Sequence, residues 1–189
     1  MKNLFIQMLA AGFLFLAGSC SSSKKLNKAT GAREIILPLN GKEYQSDRSH
    51  FRAKQSGKSP DLALAKKIAL QNANAELAGI VSKTVKRVMD QYTNQRSVGT
   101  VQEYENKVEE LAREVVNQNM QGVRMIGEKV YQEEDKSYTY WVAVELSMKD
   151  IEDAAANRLS KDQRLRLDYD EAKFREQFDK AMRELEEQN

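Results

Sequence analysis

The chain has 189 residues with 30 Lys or Arg and 28 Asp or Glu, so its formal net charge is only +2. Both signs are interspersed and aromatic residues make up 7%, which excludes the basic stripe expected of a nucleic-acid-binding protein. A single cysteine excludes an internal disulfide, so burial of apolar faces must hold the domain together. The length is that of one ordinary domain.

The first 19 residues have the pattern of a secretion signal. Lys2 supplies the positive start, and an apolar run over residues 4–16 follows it. The run is shorter than the ~20 apolar residues that a membrane-spanning helix needs. We therefore predict that residues 1–19 are a signal peptide.

The only cysteine, Cys20, directly follows Gly18 and Ser19, which is the pattern of a lipobox. It departs from the usual pattern because Ala17 stands where Leu is expected, with Leu16 one place further back. We predict that Cys20 is the lipidated first residue of the mature chain, with palmitate among its acyl chains. Several acyl chains together make a stable membrane anchor. The alternative is a secreted protein with a stray thiol, a liability in an oxidising compartment.

Residues 20–31 are rich in serine and lysine and show no apolar period, which predicts a flexible polar tether. Surface-exported lipoproteins of some Gram-negative groups carry acidic residues after the cysteine. Serines and lysines in this position favour an outer-membrane protein that faces the periplasm.

Two short strands are predicted next. Residues 33–39 are apolar and β-branched, and Pro38 restricts them to the edge of a sheet. Residues 51–55 alternate apolar and polar side chains and end before Ser56 and Gly57.

A long helix is predicted to begin with Ser59 as its cap, Pro60 at the first helical position and Asp61 near the positive end of the helix dipole. Alanines at every fourth position allow close approach to a partner element. The predicted buried stripe contains Leu62, Ala65, Ala69, Ala73, Leu77, Ile80, Val81, Val85 and Val88.

A capping box of Thr100 and Glu103 predicts a second helix that ends near Gly122. Residues 123–132 and 137–147 bracket a polar tip and predict a β-hairpin. The alternating side chains expected to share its core face are Tyr138, Tyr140, Val142, Val144 and Leu146.

Ser147 with Asp150, and Ser160 with Gln163, predict two further helix starts. The order β-β-α-α-β-β-α-α predicts an α+β fold in which a small antiparallel sheet packs against a long helix, with additional C-terminal helices. We expect an α+β domain over residues 32–159 and an amphipathic helix over residues 160–189. Its apolar stripe either joins the core or docks a partner or second copy; it consists of Phe174, Phe178, Ala181 and Leu185.

Catalytic patterns are scarce. His50 is the only histidine, and no Gly-x-Ser-x-Gly elbow accompanies it. One histidine and an acylated cysteine do not make a metal-ligand set, and no Gly-rich phosphate loop is present. The carboxylates Glu133, Glu134 and Asp135 fit a solvated turn. We therefore expect no enzyme activity, no metal and no cofactor.

Trp141 points to the face of its strand opposite the core tyrosines, together with Thr139 and Glu145. If that face is open, Trp141 is the best candidate for a binding contact; otherwise a helix covers it.

These features resemble the LPP-twenty lipoprotein family, which is similar in turn to the amino-terminal domain of the flagellar assembly protein T. The likeness covers about residues 44–148 and rests on the lipobox, Phe51-Arg52-Ala53, Gly57-x-Ser59, the alanine row with Leu77-Ala78, and a late Tyr-x-Trp-Val-Ala-Val strand. It implies a small α+β unit of an outer-membrane-associated lipoprotein without established catalytic residues.

The expected function is that of a non-enzymatic cell-envelope module that binds another envelope protein or peptidoglycan. The alternatives are a surface-exposed adhesin or antigen and, from a different class, a periplasmic hydrolase.

Overall fold

The computed structural model describes residues 35–93, 101–161 and 170–188. Cys20, the signal-like segment, the tether and the capping box at Thr100 lie outside the described residues. The fold is α+β, as predicted, with a three-stranded antiparallel sheet, a long helix against it and further helices. The helices are α1 (Leu62–Thr93), α2 (Val101–Asn119), α3 (Met148–Lys161) and α4 (Glu171–Glu187), and the strands are β1 (His50–Ser59), β2 (Arg124–Gln132) and β3 (Tyr138–Ser147).

The sheet has the order β1-β3-β2, so β3 lies in the centre and the hairpin partners β2 and β3 are neighbours. β1 extends further than predicted, through Gly57 to Ser59. A bulge between Met125 and Gly127 shifts the register of β2 against β3. The predicted core face of β3 is confirmed, because Tyr140, Val142, Val144 and Leu146 are buried and Tyr138 packs against them.

Helix α1 packs across β1 and β3. The predicted alanine row is confirmed, since Ala65, Ala69 and Ala73 are completely buried. Gly57 lies beneath the row, where the absence of a side chain lets strand and helix approach closely. The helix is linked to the sheet again at Lys66, whose Nζ lies 3.1 Å from Glu128 Oε2.

The other helices extend the core along α1. Val108, Leu111, Val115 and Val116 of α2 are buried. Phe174 and Phe178 of α4 are also fully buried, and α4 packs against α1. The described residues from Ile36 onward form one compact unit that includes α4.

The predicted strand over residues 33–39 is wrong for its described part. Residues 35–39 are not in a strand, and Leu39 has a φ of 55°. Instead of joining the sheet edge, Leu39 is buried, and its carbonyl accepts a hydrogen bond from Lys54 Nζ at 3.1 Å. Tertiary contact therefore overrides the β propensity of this segment.

Two predicted helix starts are corrected by the structure. Asp61, not Ser59, caps α1, because its carboxylate accepts from the Leu64 N–H at 2.7 Å. Leu62 is consequently in the first turn and is 44% exposed instead of belonging to the buried stripe.

The start predicted at Ser160 is wrong because α3 continues to Lys161, and the Ser160 hydroxyl donates to the Asn157 carbonyl at 3.0 Å. The last helix begins instead after Asp170, whose side chain accepts from the Lys173 N–H. The start predicted at Ser147 is confirmed, since its hydroxyl oxygen accepts from the Asp150 N–H at 3.3 Å.

Candidate functional site

The face of the sheet opposite α1, here called the outer face, is built from side chains that line up in rows across the three strands. The strand register places Arg52, Glu145 and Arg124 in the first row and Lys54, Ala143 and Gly127 in the second. The third row contains Ser56, Trp141 and Lys129, and the fourth contains Lys58, Thr139 and Tyr131. The alternation of β-strands explains why these side chains share a face.

The first row is held by charge. Glu145 accepts from Arg52 Nε at 3.1 Å and from Arg124 at 3.2 Å. Asp47 also pairs with Arg52, at 2.5 Å. Burial alone would raise the pKa of Asp47, but hydrogen bonds from Ser49, Arg52 and the backbone hold it well below its usual range. Burial would lower the pKa of Arg52, but the two carboxylates raise it. Arg52, Glu145 and Arg124 therefore form a connected ion-pair network with Asp47.

The second row is covered by the segment that precedes β1. The ring of Tyr44 sits on Gly127, where an added Cβ would be 2.6 Å from Tyr44 Cε1. Leu39 is buried, and Ala143 in the centre of the row is completely buried. The chain before β1 thus closes half of the outer face.

The third and fourth rows form the open part of the outer face. Trp141 is partly exposed, and its cross-strand neighbour Lys129 is exposed. Tyr131 in the next row is 44% exposed. Helix α1 joins the core on the opposite face of the sheet. We call Trp141, Lys129 and Tyr131 the Trp141 patch; it offers apolar rings with polar tips beside a lysine.

His50 lies near a serine and a carboxylate, the combination that a hydrolase would need. Its Nδ1 is 2.8 Å from Ser49 Oγ, and its Nε2 is 4.0 Å from Glu145 Oε1. The Ser49 hydroxyl, however, is 2.6 Å from Asp47 Oδ1, which also accepts from the Ser49 N–H at 2.7 Å. Its proton is therefore directed to a turn carboxylate and not to the imidazole. This geometry is that of a turn leading into β1.

Acidic side chains of the hairpin tip make hydrogen bonds and an ion pair within the domain. Asp135 accepts from the Ser137 hydroxyl and N–H, and Lys58 pairs with it at 3.2 Å. These contacts lower the pKa of Asp135 to about 2. Glu133 accepts from the Thr139 hydroxyl at 2.5 Å. The described residues contain no group of three or more histidine, cysteine or acidic side chains able to hold a metal ion.

Sequence reasoning singled out Trp141 but missed Lys129 and Tyr131 beside it. The sequence predicts a polar tip over residues 133–136, and this tip is compatible with two hairpin registers that differ by one residue. Trp141 would lie opposite Glu128 in one register and opposite Lys129 in the other. The structure pairs Gln132 with Tyr138 and so places Lys129 opposite Trp141.

Comparison with known protein families and with curated proteins finds no match for the chain. None of the helices in the described ranges is both long and apolar enough to cross a membrane.

Proposed function

We propose that this chain is a lipid-anchored, non-enzymatic module of the cell envelope that faces the periplasm and binds another envelope protein or peptidoglycan through the Trp141 patch. The proposed anchor is Cys20, because it follows a secretion signal and two small residues. The resemblance to the LPP-twenty lipoproteins belongs to the same proposal.

The observation that carries the binding role is the partial exposure of Trp141 on a sheet face of which only half is covered. Tryptophan and tyrosine supply large contact areas and are enriched where proteins bind their partners. The neighbouring Lys129 adds a positive charge suited to a carboxylate. Such carboxylates occur both on acidic protein surfaces and on the peptide stems of peptidoglycan.

The anchor is tested by Cys20→Ser in the full chain, followed by labelling with a fatty acid and fractionation of membranes. We expect no incorporated label and a soluble or unprocessed protein, because the acyl chains are the only strong attachment proposed. Undiminished labelling of the variant would contradict lipidation at Cys20.

The binding role is tested by crosslinking in whole cells, comparing Trp141→Ala with Leu64→Ala. Leu64 is an apolar residue that is 48% exposed and belongs to α1, which packs on the opposite face of the sheet, so it is the matched control. We expect Trp141→Ala to lose a crosslinked protein or peptidoglycan fragment that Leu64→Ala keeps. Equal recovery in both variants would remove the patch from the proposal.

Orientation is tested by adding protease to intact cells. We expect the domain to survive until the outer membrane is permeabilised. Degradation in intact cells would support the surface-exposed adhesin or antigen instead.

A further inference from the structure

The two edges of the sheet are protected differently, and β1 is the protected one. The hydroxyl of Ser46 accepts from the Arg52 N–H at 2.9 Å and lies 3.2 Å from the Arg52 carbonyl oxygen, to which it donates. Asn72 of α1 donates to the Ser56 carbonyl at 2.9 Å. Both backbone positions point away from β3, so side chains of the domain occupy sites that another strand would need.

The outer edge of β2 has no neighbouring strand in the described sheet. The Glu133 N–H donates to the Ser137 carbonyl at 2.8 Å, which fixes the hydrogen-bonded pairs of the hairpin. Because bonded and non-bonded pairs alternate along an antiparallel ladder, Glu128, Val130 and Gln132 direct their N–H and C=O groups away from β3. No strand pairs with this edge among the residues that the structure describes.

The side chains along this edge are also open to solvent. Val130 is 45% exposed although it lies on the helix-facing side of the sheet, since α1 packs over β1 and β3. The bulge between Met125 and Gly127 ends the regular edge at one side and the hairpin turn ends it at the other. A five-residue segment, Glu128–Gln132, is therefore available for pairing.

We propose that this segment pairs with the same segment of a second copy, with the two β2 strands antiparallel about a two-fold axis at Val130. A two-fold axis perpendicular to the sheet keeps each side chain on its own face, so the interface is self-complementary. Pairing joins the two sheets into one of six strands and satisfies the outward backbone groups of both copies.

The side chains select the register. With the axis at Val130, the two valines face each other and Lys129 lies opposite Tyr131 of the second copy. That opposition falls at a non-hydrogen-bonded site, where side chains are closest and a lysine ammonium can lie over an aromatic ring. Glu128 then lies opposite Gln132, so no like charges meet.

Neighbouring registers are less favourable. An axis at Glu128 places two carboxylates directly opposite, and an axis at Lys129 places two ammonium groups opposite. An axis at Tyr131 brings Glu128 against Glu134 of the other hairpin turn but also Lys129 against Glu133, so charge does not decide against it. Because β2 ends at Gln132, that register pairs only residues 130–132, whereas the axis at Val130 pairs the whole segment Glu128–Gln132. Like charges therefore disfavour the first two registers, and the shorter paired strand disfavours the third.

The register is tested by cysteine crosslinking of the full-length chain in its own membranes. Opposite residues in a bonded pair have Cα atoms about 5.5 Å apart, within disulfide range, so Val130→Cys should yield a covalent dimer. Lys129→Cys and Tyr131→Cys should each fail alone but crosslink when the two variants are coexpressed. The parent chain controls for Cys20, and Lys58→Cys controls for exposed cysteines on β1.

Val130→Pro tests whether the edge itself is responsible. The Val130 N–H, which proline lacks, points away from β3. The substitution therefore removes a donor for the second copy but no hydrogen bond to β3. We expect the coexpressed Lys129→Cys and Tyr131→Cys dimer to fall by about tenfold or more, while the far-ultraviolet circular dichroism spectrum of the folded chain stays the same. The proposal is overturned if Val130→Cys crosslinks no better than Lys58→Cys, or if its adduct has the mass of a different protein.

Discussion

Gly57 and Ala65 approach so closely that a Cβ on Gly57 would lie 2.5 Å from the Ala65 carbonyl oxygen. The same Cβ would lie 2.5 Å from the Ala69 backbone nitrogen. Both neighbours are backbone atoms of α1, which cannot move without displacing the helix. Contact between β1 and α1 thus requires a residue without a side chain in the strand and small residues in the helix.

We predict that Gly57→Ala destabilises the domain by about 1 to 3 kcal/mol or more, because the added methyl group pushes α1 off the sheet. Gly79→Ala in α1 is the control, since a Cβ there meets nothing within 4 Å. In a helix interior, that change should stabilise by about 0.5 to 1 kcal/mol. Chemical denaturation of both variants measures the two effects, and equal stabilities would contradict the close approach.

Ala69→Leu is expected to cost about 1 to 3 kcal/mol for a related reason, because the larger side chain must displace the sheet beneath a fully buried position. Leu64→Ala, at an exposed position of the same helix, should change stability little. Thermal melting followed by circular dichroism distinguishes them. An unchanged melting curve for Ala69→Leu would show that α1 does not pack through its alanine row.

Phe178→Ala is expected to lower stability by about 3 to 5 kcal/mol, since it leaves a cavity beside Phe174, whose ring centroid lies 5.6 Å away. Lys180→Ala, at an exposed position of α4, is the control. Stability should be lost before binding, because the phenylalanine faces the core and not a partner. A fully stable Phe178→Ala variant that drops out of a native complex would reverse this order and make α4 a docking surface.

Asp47→Asn is expected to lower the free energy of unfolding by about 1 kcal/mol at neutral pH. The effect is small because the carboxylate is 37% exposed and solvent screens its ion pair. The folded protein holds the pKa of Asp47 below its usual range, so the native state binds fewer protons than the unfolded state. The stabilisation is therefore present above about pH 4 and lost as the pH falls through the folded pKa.

Urea denaturation of the Asp47→Asn variant at several pH values measures that dependence. The difference from the parent chain should shrink steadily as the pH falls below about 4. Glu76→Gln, at an exposed position of α1, controls for a general effect of removing a negative charge. A difference that stays constant down to the lowest pH would show that the ionised carboxylate does not stabilise the fold.

Regular periodicity made the long elements predictable. Four-residue spacing identified the buried alanines of α1, and alternation identified the core face of β3 through Tyr140 and Val142. Local capping patterns were less decisive, because several serines and aspartates compete near each helix start. Asp61 caps α1 two residues after the predicted Ser59, and Asp170 replaces Ser160.

The candidate site was predictable only in part. Strand alternation alone placed Trp141 opposite the core. Its exposure depended on what packs over that face, and here a preceding segment covers Ala143 while leaving Trp141 partly open. The partners Lys129 and Tyr131 depended on hairpin register, which a polar turn does not specify to the residue.

The amino-acid sequence by itself determined the α+β class, the buried faces of α1 and β3, and the candidacy of Cys20 and Trp141, since these depend on composition and short-range period. Only the tertiary structure decided that residues 35–39 lie outside the sheet and that Phe178 joins the core. It also decided that β2 is an edge strand of the described sheet. These outcomes depend on contacts between segments far apart in the chain. Their energies outweigh local propensities that differ by about 1 kcal/mol or less.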